Sequence, residues 1–418
     1  MDKGSTYEIK DITLAEQGRL NIELAEKRMA IVMSIRERFA KEKPFKGITI
    51  GMALHLTKET AVLVRTLRAG GANVSIASCN PLSTQDDVAA ALAADGIKVY
   101  GYKGETTDDY YRYIDRVIAE KPSITIDDGC DLVTRIHEKY PNQIDSIIGG
   151  CEETTTGIIR LHSMEKDKAL KYPVVAVNDN KTKHLLDNYY GTGQSTLDGI
   201  IRASGTLISG KTFVVAGYGS CGKGVSLRAS GMGANVIVTE VDHFKALQAV
   251  MDGFRVMRME DAAVLGDIFV TVTGDKNVIR MEHIKNMKDG AILANSGHFD
   301  VEIDMASLKS LEKRLIRPNF HEYAVGKRKV YVCGEGRLVN LAAAEGHPSE
   351  VMATSFAGQA LACEYLVKNK GKLGSKVVML PESIDDDIAR LQLETMNISI
   401  DKLTPEQVEY LSSWKTGT

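Results

Sequence analysis

The segment TFVVAGYGSCGKG, residues 212–224, places the tightest limit on what this chain can fold into. An apolar, β-branched run, Thr212–Ala216, passes directly into Gly217-x-Gly219-x-x-Gly222, and a helix-forming stretch follows. Gly217 permits a tight turn, Gly219 lets backbone approach a pyrophosphate, and Gly222 lets the helix pack close to the strand. Ser220 and Cys221 then fall at the positive end of the new helix, where an anion is favoured. A second strand, Val236–Thr239, ends in Glu240, 18 residues after Gly222, where a dinucleotide fold places its ribose-binding acid.

Two competing nucleotides fail on chemistry. The run Gly217-x-x-x-x-Gly222-Lys223 satisfies much of a triphosphate P-loop, but Gly224 follows where a Mg²⁺-binding hydroxyl is needed. NADP needs a cation near the ribose 2′ position, whereas Glu240 and Asp242 would repel a 2′-phosphate. NAD is the expected cofactor.

The rest of the chain agrees with a parallel sheet. No proline occurs between Pro173 and Pro318, although the chain as a whole is glycine-rich, with 37 Gly against 9 Pro in 418 residues. Central strands cannot surrender amides to proline. Short β-branched runs at 48–51, 74–78, 98–100, 124–126, 147–148 and 174–177 alternate with helical stretches such as 58–67 and 87–94. A second alternation has strands at 212–216, 236–239, 268–272 and 292–294. Strands alternating with helices imply two α/β units, each a doubly wound, Rossmann-like parallel sheet. An amphipathic helix over 14–39 precedes them, Ser83-x-x-Asp86 reads as a helix start, and a helical, polar tail closes the chain.

In such sheets ligands collect beyond the carboxyl ends of the strands. His55 and Thr57 follow the first strand, and Asn80 the second. Asp127, Asp128 and Asp131 follow the fourth, Glu152 and Glu153 the fifth, Asn178 and Asp179 the sixth. Singly these are ordinary caps and turns; together they mark a cleft. The Asp127–Asp131 cluster could hold a divalent cation, though a capped strand–helix turn suits it better.

Other classes are disfavoured. With 52 basic and 55 acidic residues the net charge is −3, and no basic block marks a nucleic-acid or anionic-membrane surface. No apolar run approaches the roughly 18 residues of a membrane span, and the opening MDKGSTYEIKD is too charged for a secretory signal. Six scattered cysteines without a C-x-x-C pair suit free thiols in a reducing cytoplasm. Neither zinc-ligand spacing nor a G-x-S-x-G elbow occurs, so no metal is expected. Residues and spacing alone give an NAD enzyme with a large, separate substrate domain.

Eight segments carry a resemblance beyond this: LHLTKETAVL (54–63), SCNPLSTQDD (78–87), DDGCDL (127–132), EETTTG (152–157), VNDNKTKHLLDNYYGTGQS (177–195), VVAGYGSCGKG (214–224), GHFDVEID (297–304) and EGRLVNLAAAEGHPS (335–349). In combination, and over nearly the whole chain, they resemble the S-adenosylhomocysteine hydrolase family. The resemblance implies reversible cleavage of S-adenosylhomocysteine to adenosine and homocysteine with tightly held NAD. The 3′-hydroxyl is oxidised, the C4′ proton becomes acidic, homocysteine leaves, water adds, and the ketone is reduced again. Some archaeal-type relatives act on S-inosylhomocysteine instead, and Glu59 could accept from either base.

Carried over by position, Lys183 and Asp187 resemble the pair at the ribose hydroxyls, with Lys183 assisting 3′-deprotonation if its pKa is lowered. His55 and Asp131 resemble the groups that manage the C4′ proton and the 5′ leaving group or water. Glu153 and Thr154 resemble ribose contacts. Asn178 and Asn188 orient substrate and nicotinamide, and His298 meets cofactor and ribose. Thr57, Glu59, His347 and Met352 match base-recognition positions. The cofactor set is Asn188, Gly217, Gly219, Ser220, Cys221, Gly222, Glu240, Asn295 and Asn340. The implied assembly is a homotetramer, with a substrate domain from 1–187 and 347–379, an NAD domain over 188–346, and an oligomerisation segment over 380–418.

Three departures stand out. Thr192 replaces a frequent Cys, His243 replaces a frequent proline, and the chain lacks the longer tail whose Lys and Tyr reach a neighbouring subunit's NAD. The last implies weaker or more exchangeable NAD.

Overall fold

The computed structural model describes residues 6–415. Two parallel-sheet α/β domains make up the body. In the first, strands Tyr7–Glu8 (β1), Thr49–Ala53 (β2), Asn73–Ala77 (β3), Lys98–Tyr100 (β4), Ile124–Asp127 (β5), Gly149–Glu152 (β6) and Val174–Ala176 (β7) form a sheet in the order β1-β4-β3-β2-β5-β6-β7. Val377–Val378, from late in the chain, pairs parallel to β7 at the far edge. The order reverses between β2 and β5, which opens a crevice at their carboxyl ends.

The second sheet repeats the plan. Thr212–Ala216 (β8), Asn235–Thr239 (β9), Arg255–Val256 (β10), Ile268–Thr271 (β11) and Ala291–Asn295 (β12) pair in parallel, reversing between β8 and β11. Lys313–Arg317 (β13), Phe320–Val325 (β14) and Arg328–Cys333 (β15) extend it, β15 parallel to β12 and the other two pairings antiparallel. The central strands are apolar on both faces because helices cover both: Val215 and Val214 sit in separate clusters on opposite sides of β8.

Several sequence expectations shift. The opening helix is two, Ala15–Arg28 and Ala30–Glu42, broken at Met29, whose backbone leaves the helical region (φ −110°, ψ 48°) while its side chain is fully buried. The fifth strand begins at Gly149, just after the Ile147–Ile148 run, since Cys151 and Glu152 register with Ile126 and Asp127. Ser83 does not cap the next helix, which starts at Asp86; its hydroxyl donates to the Asn80 carbonyl. The tail forms helices at Glu382–Thr395 and Pro405–Ser412, the second closed by a Thr404–Gln407 capping box.

Chain from both ends builds the first domain. The long helix Ser349–Lys368 packs across it, burying Phe356, Ala357, Ala360 and Leu366 in the same core as Ile50, Met52 and Ile126. Ile126 lies on β5 directly before the aspartates, fully buried but outside the crevice. Ile126→Ala is expected to cost about 2–5 kcal/mol of unfolding free energy by cavity formation, read by denaturant titration, while leaving every polar group of the crevice in place.

Candidate active site

The crevices of the two sheets face each other across one cavity of about 1070 Å³, lined from both domains. At its centre is Lys183, on the short helix Lys181–His184 after β7 and only 5% exposed. Its Nζ donates to Asp187 Oδ2 at 2.8 Å and Asn188 Oδ1 at 2.7 Å, and lies 3.7 Å from Glu153 Oε1. Asp187 and Asn188 belong to a single widened π-helical turn, Asp187–Gly191, which brings both side chains back onto the lysine. Burial works against the ammonium, but the Asp187 and Glu153 carboxylates outweigh it and hold its pKa above the ordinary lysine value. The sequence expectation of a lowered lysine pKa is therefore corrected: Lys183 is a charged donor.

Its neighbours are tied in turn. Asp187 Oδ1 accepts from His347 Nδ1, and His347 Nε2 accepts from Asn340 Nδ2 at 3.2 Å. Burial raises Asp187, yet Lys183 and His347 hold its carboxyl well below the usual range. Glu153 accepts from the Ser355 hydroxyl and from Gln359 Nε2 on the long helix. Burial nevertheless pushes its pKa up to about 7 despite the opposing lysine. Asn178 lies one layer back, accepting from Asn188 Nδ2 at 3.1 Å.

A second cluster of titratable groups lies at the ends of β2 and β5. His55 Nδ1 sits 2.8 Å from Ser83 Oγ, which lies 3.1 Å from the Asn80 carbonyl oxygen. His55 Nε2 lies 3.4 Å from Asp128 Oδ2. Burial is the main cause that pushes His55 down to about 4, against the pull of Asp128. His298 approaches from the second domain, its Nδ1 3.6 Å from Asp128 Oδ1. His55, Asp128 and His298 bring metal-type donor atoms within 4.8 Å of one another, a juxtaposition that no spacing in the sequence shows.

Asp131 does not join this group. The chain turns through left-handed backbone at Gly129 and Cys130 (φ 107° and 67°), so Asp131 starts the next helix with its side chain turned away. It pairs with Arg160 Nη1 at 2.6 Å and accepts from the Tyr110 hydroxyl at 2.8 Å. Asp128 faces the cavity instead. Asp127 caps that helix, accepting from Val133 N at 2.9 Å, so the capped-turn reading of this cluster describes it.

Thr57, Glu59 and Met352, expected to meet a base, line the cavity together. Thr57 caps the Lys58–Ala69 helix. Glu59, 2% exposed, accepts from Ser349 Oγ at 2.6 Å, and Met352 and Phe356 lie on the same wall. Thr154 lines the cavity beside Glu153. Ser83, Ser349, Ser355 and Gln359 were missed from sequence, since each acts only through a partner distant in the chain.

At the opposite end, the structure tests the dinucleotide expectation. Gly217 has φ +103°, reserved for glycine, and a Cβ on Gly222 would lie 2.0 Å from the Gly217 carbonyl oxygen. A Cβ on Gly219 would meet nothing within 4 Å, so the loop has open space where a phosphate needs it. Ser220, Cys221 and Glu240 line the same end. The Glu240 carboxylate accepts from the amides of Tyr218 at 2.7 Å and Val241 at 2.7 Å. Asn340 Oδ1 is buried without a partner, a free acceptor of the kind a carboxamide could satisfy. Asn295 differs from expectation: its amide donates to the Gly297, Phe299 and Gly336 carbonyls behind the wall, where it shapes the loop carrying His298. The remaining features fit a dinucleotide.

Two facing parallel sheets with titratable groups gathered between them define an α/β enzyme. The chain belongs to the S-adenosyl-L-homocysteine hydrolase family, whose model matches residues 6–418. It is 58% identical to the S-inosyl-L-homocysteine hydrolase of Methanocaldococcus jannaschii, over 99% of this chain and 100% of that one. It is 59% identical to the adenosylhomocysteinase of Saccharolobus solfataricus, over 99% and 100% respectively, and 58% identical to that of Thermosynechococcus vestitus, over 99% and 97%. The protein is a hydrolase of this family. No helix among the described residues is long and apolar enough to cross a membrane.

The His55 environment sets a sign for pH. Its pKa falls from 6.5 unfolded to about 4 folded, so stability from the neutral ring is complete above pH 6.5 and is lost as pH falls towards 4. The stability difference between wild type and His55→Asn should shrink by about 3 kcal/mol between pH 7 and pH 4, measured by denaturant titration at each pH.

Proposed function

We propose that this enzyme catalyses reversible hydrolysis of S-adenosyl-L-homocysteine to adenosine and homocysteine, with NAD held at the glycine loop. The observation that carries the reading is the single cavity with the Gly217–Gly222 turn and Glu240 at one end, and Lys183, Glu153, His55 and Asp128 at the other. NAD bound there supplies reversible two-electron oxidation of a secondary alcohol, which makes the neighbouring carbon acidic.

The chain's own groups handle protons. Glu153, poised near neutrality, can take the proton of the ribose 3′-hydroxyl, while Lys183, 3.7 Å away, stays an ammonium. The ammonium donates to the same oxygen and stabilises the negative charge that develops there. The His55 ring, kept neutral by burial, accepts a proton at the other side of the sugar, with Asp128 and His298 within reach of the same site. Thr57, Glu59, His347 and Met352 hold the base.

Both candidate bases offer an N–H to Glu59, so S-inosyl-L-homocysteine is the second reading, favoured by the M. jannaschii relative. The ratio of kcat/KM for the two nucleosides decides between them. A homotetramer is supported by apolar side chains left in solvent on the last helix and beyond, including Leu411 and Trp414, the latter 90% exposed. Cytoplasmic residence suits six free cysteines.

Incubation with S-adenosyl-L-homocysteine should release free thiol without net NADH; stoichiometric NADH and no thiol would make the protein an ordinary alcohol dehydrogenase. Lys183→Met should slow substrate oxidation by about 10²–10⁴-fold, the range of lost acid–base catalysis, while weakening NAD binding far less. Rapid-quench and cofactor-titration measurements check the two effects; equal losses would make Lys183 structural.

A further inference from the structure

His184 has no place in the chemistry above, yet it sits between the two halves of the site. Its Nε2 lies 2.9 Å from Ser220 Oγ, in the first turn of the helix that follows the glycine loop. Its Nδ1 lies 3.3 Å from Asn188 Nδ2. One fact fixes every proton along this line. An ammonium only donates, so Asn188 must present its oxygen to Lys183, at 2.7 Å, and its NH₂ to His184. His184 Nδ1 therefore accepts, Nε2 carries the ring proton and donates to Ser220 Oγ, and the Ser220 hydrogen is left free to point into the cavity.

We propose that His184 is a positioning residue that links the dinucleotide loop to Lys183. The proposal rests on the NAD reading given above. Donation runs in one direction, from Lys183 through Asn188 and His184 to Ser220. Bonds aligned in this way polarise one another, so the lysine's charge strengthens the hydroxyl's donation to an anion at the glycine loop. A phosphate there in turn holds Asn188 against Lys183. A protonated imidazole would set its Nδ1 hydrogen against the Asn188 NH₂. Burial and Lys183 lower the His184 pKa and keep the ring neutral, against the raising effect of Asp179.

The test uses the full chain stripped of cofactor and titrated with NAD. His184→Leu keeps bulk but ends the relay, and should weaken NAD binding about tenfold, the worth of one hydrogen bond to a charged group. With NAD saturating, it should lower kcat and leave KM for the nucleoside unchanged. His184→Gln can accept and donate at once, and should restore both to within about threefold of wild type. Ser220→Ala should match His184→Leu, and the double variant should be no worse than either single one. Wild-type NAD affinity in a folded His184→Leu protein, or full additivity with Ser220→Ala, would overturn the link. If His184→Leu does not fold, Ser220→Ala and His184→Gln decide: unchanged affinity in Ser220→Ala, or a tenfold loss in His184→Gln, overturns it. A wild-type chain that binds no NAD removes the proposed function and this link together, whereas unaffected variants of an NAD-binding wild type remove only the link.

Discussion

Lys183 Nζ is buried among Asp187, Asn188 and Glu153, and those contacts draw on chain segments that are otherwise far apart. Glu153 follows β6 and is gripped by Ser355 and Gln359 from the long C-terminal helix. Asp187 is held by His347, at the return crossing into the first domain. A buried charge is tolerable only when its partners are fixed, and removing one partner typically costs about 3–5 kcal/mol. The packing of both ends of the chain into one domain, and the widened turn at Asp187–Gly191, therefore have a common purpose: together they bring the partners to the ammonium.

Around this cation the carboxyls are sorted by environment. Burial pushes Asp127 and Glu153 up to about 7 and Glu152 well above the ordinary carboxylate range, with Asp127 and Asp128 adding to the last. Glu152 Oε1 still accepts from Gly129 N at 2.8 Å and Thr154 N at 3.0 Å, so it ties the aspartate loop to the Glu153–Thr154 loop. Asp187, the closest to Lys183, is instead held low. Acidic side chains crowded at strand ends thus divide into charged, poised and uncharged members by their partners rather than by their type.

The sheets were largely legible because parallel strands buried on both faces leave continuous apolar runs, and the glycine loop carries its own geometry. What escaped followed from context. Gly149–Glu152 has little strand propensity and is extended because β5 and β7 flank it. Every residue of β13, Lys313–Arg317, is exposed, so no apolar pattern marks it. The choice between Asp128 and Asp131 depended on two successive left-handed residues, one of them Cys130, which rarely adopts that conformation. The lysine's raised pKa could not be read from sequence, since it depends on whether two carboxylates or bare apolar walls surround the amine.

The same geometry explains why a hydrolase is built on two facing sheets of this type. Each sheet has one crevice, where its strand order reverses, and a ligand in one crevice alone remains open to solvent on its far side. With the two crevices opposed, His298 from the second sheet reaches Asp128 of the first, and Arg160 of the first lies over the Phe299 ring of the second. Because burial lowers its pKa to about 4, the His55 ring stays neutral across the whole neutral range, so one ring nitrogen remains able to accept a proton where the two crevices meet.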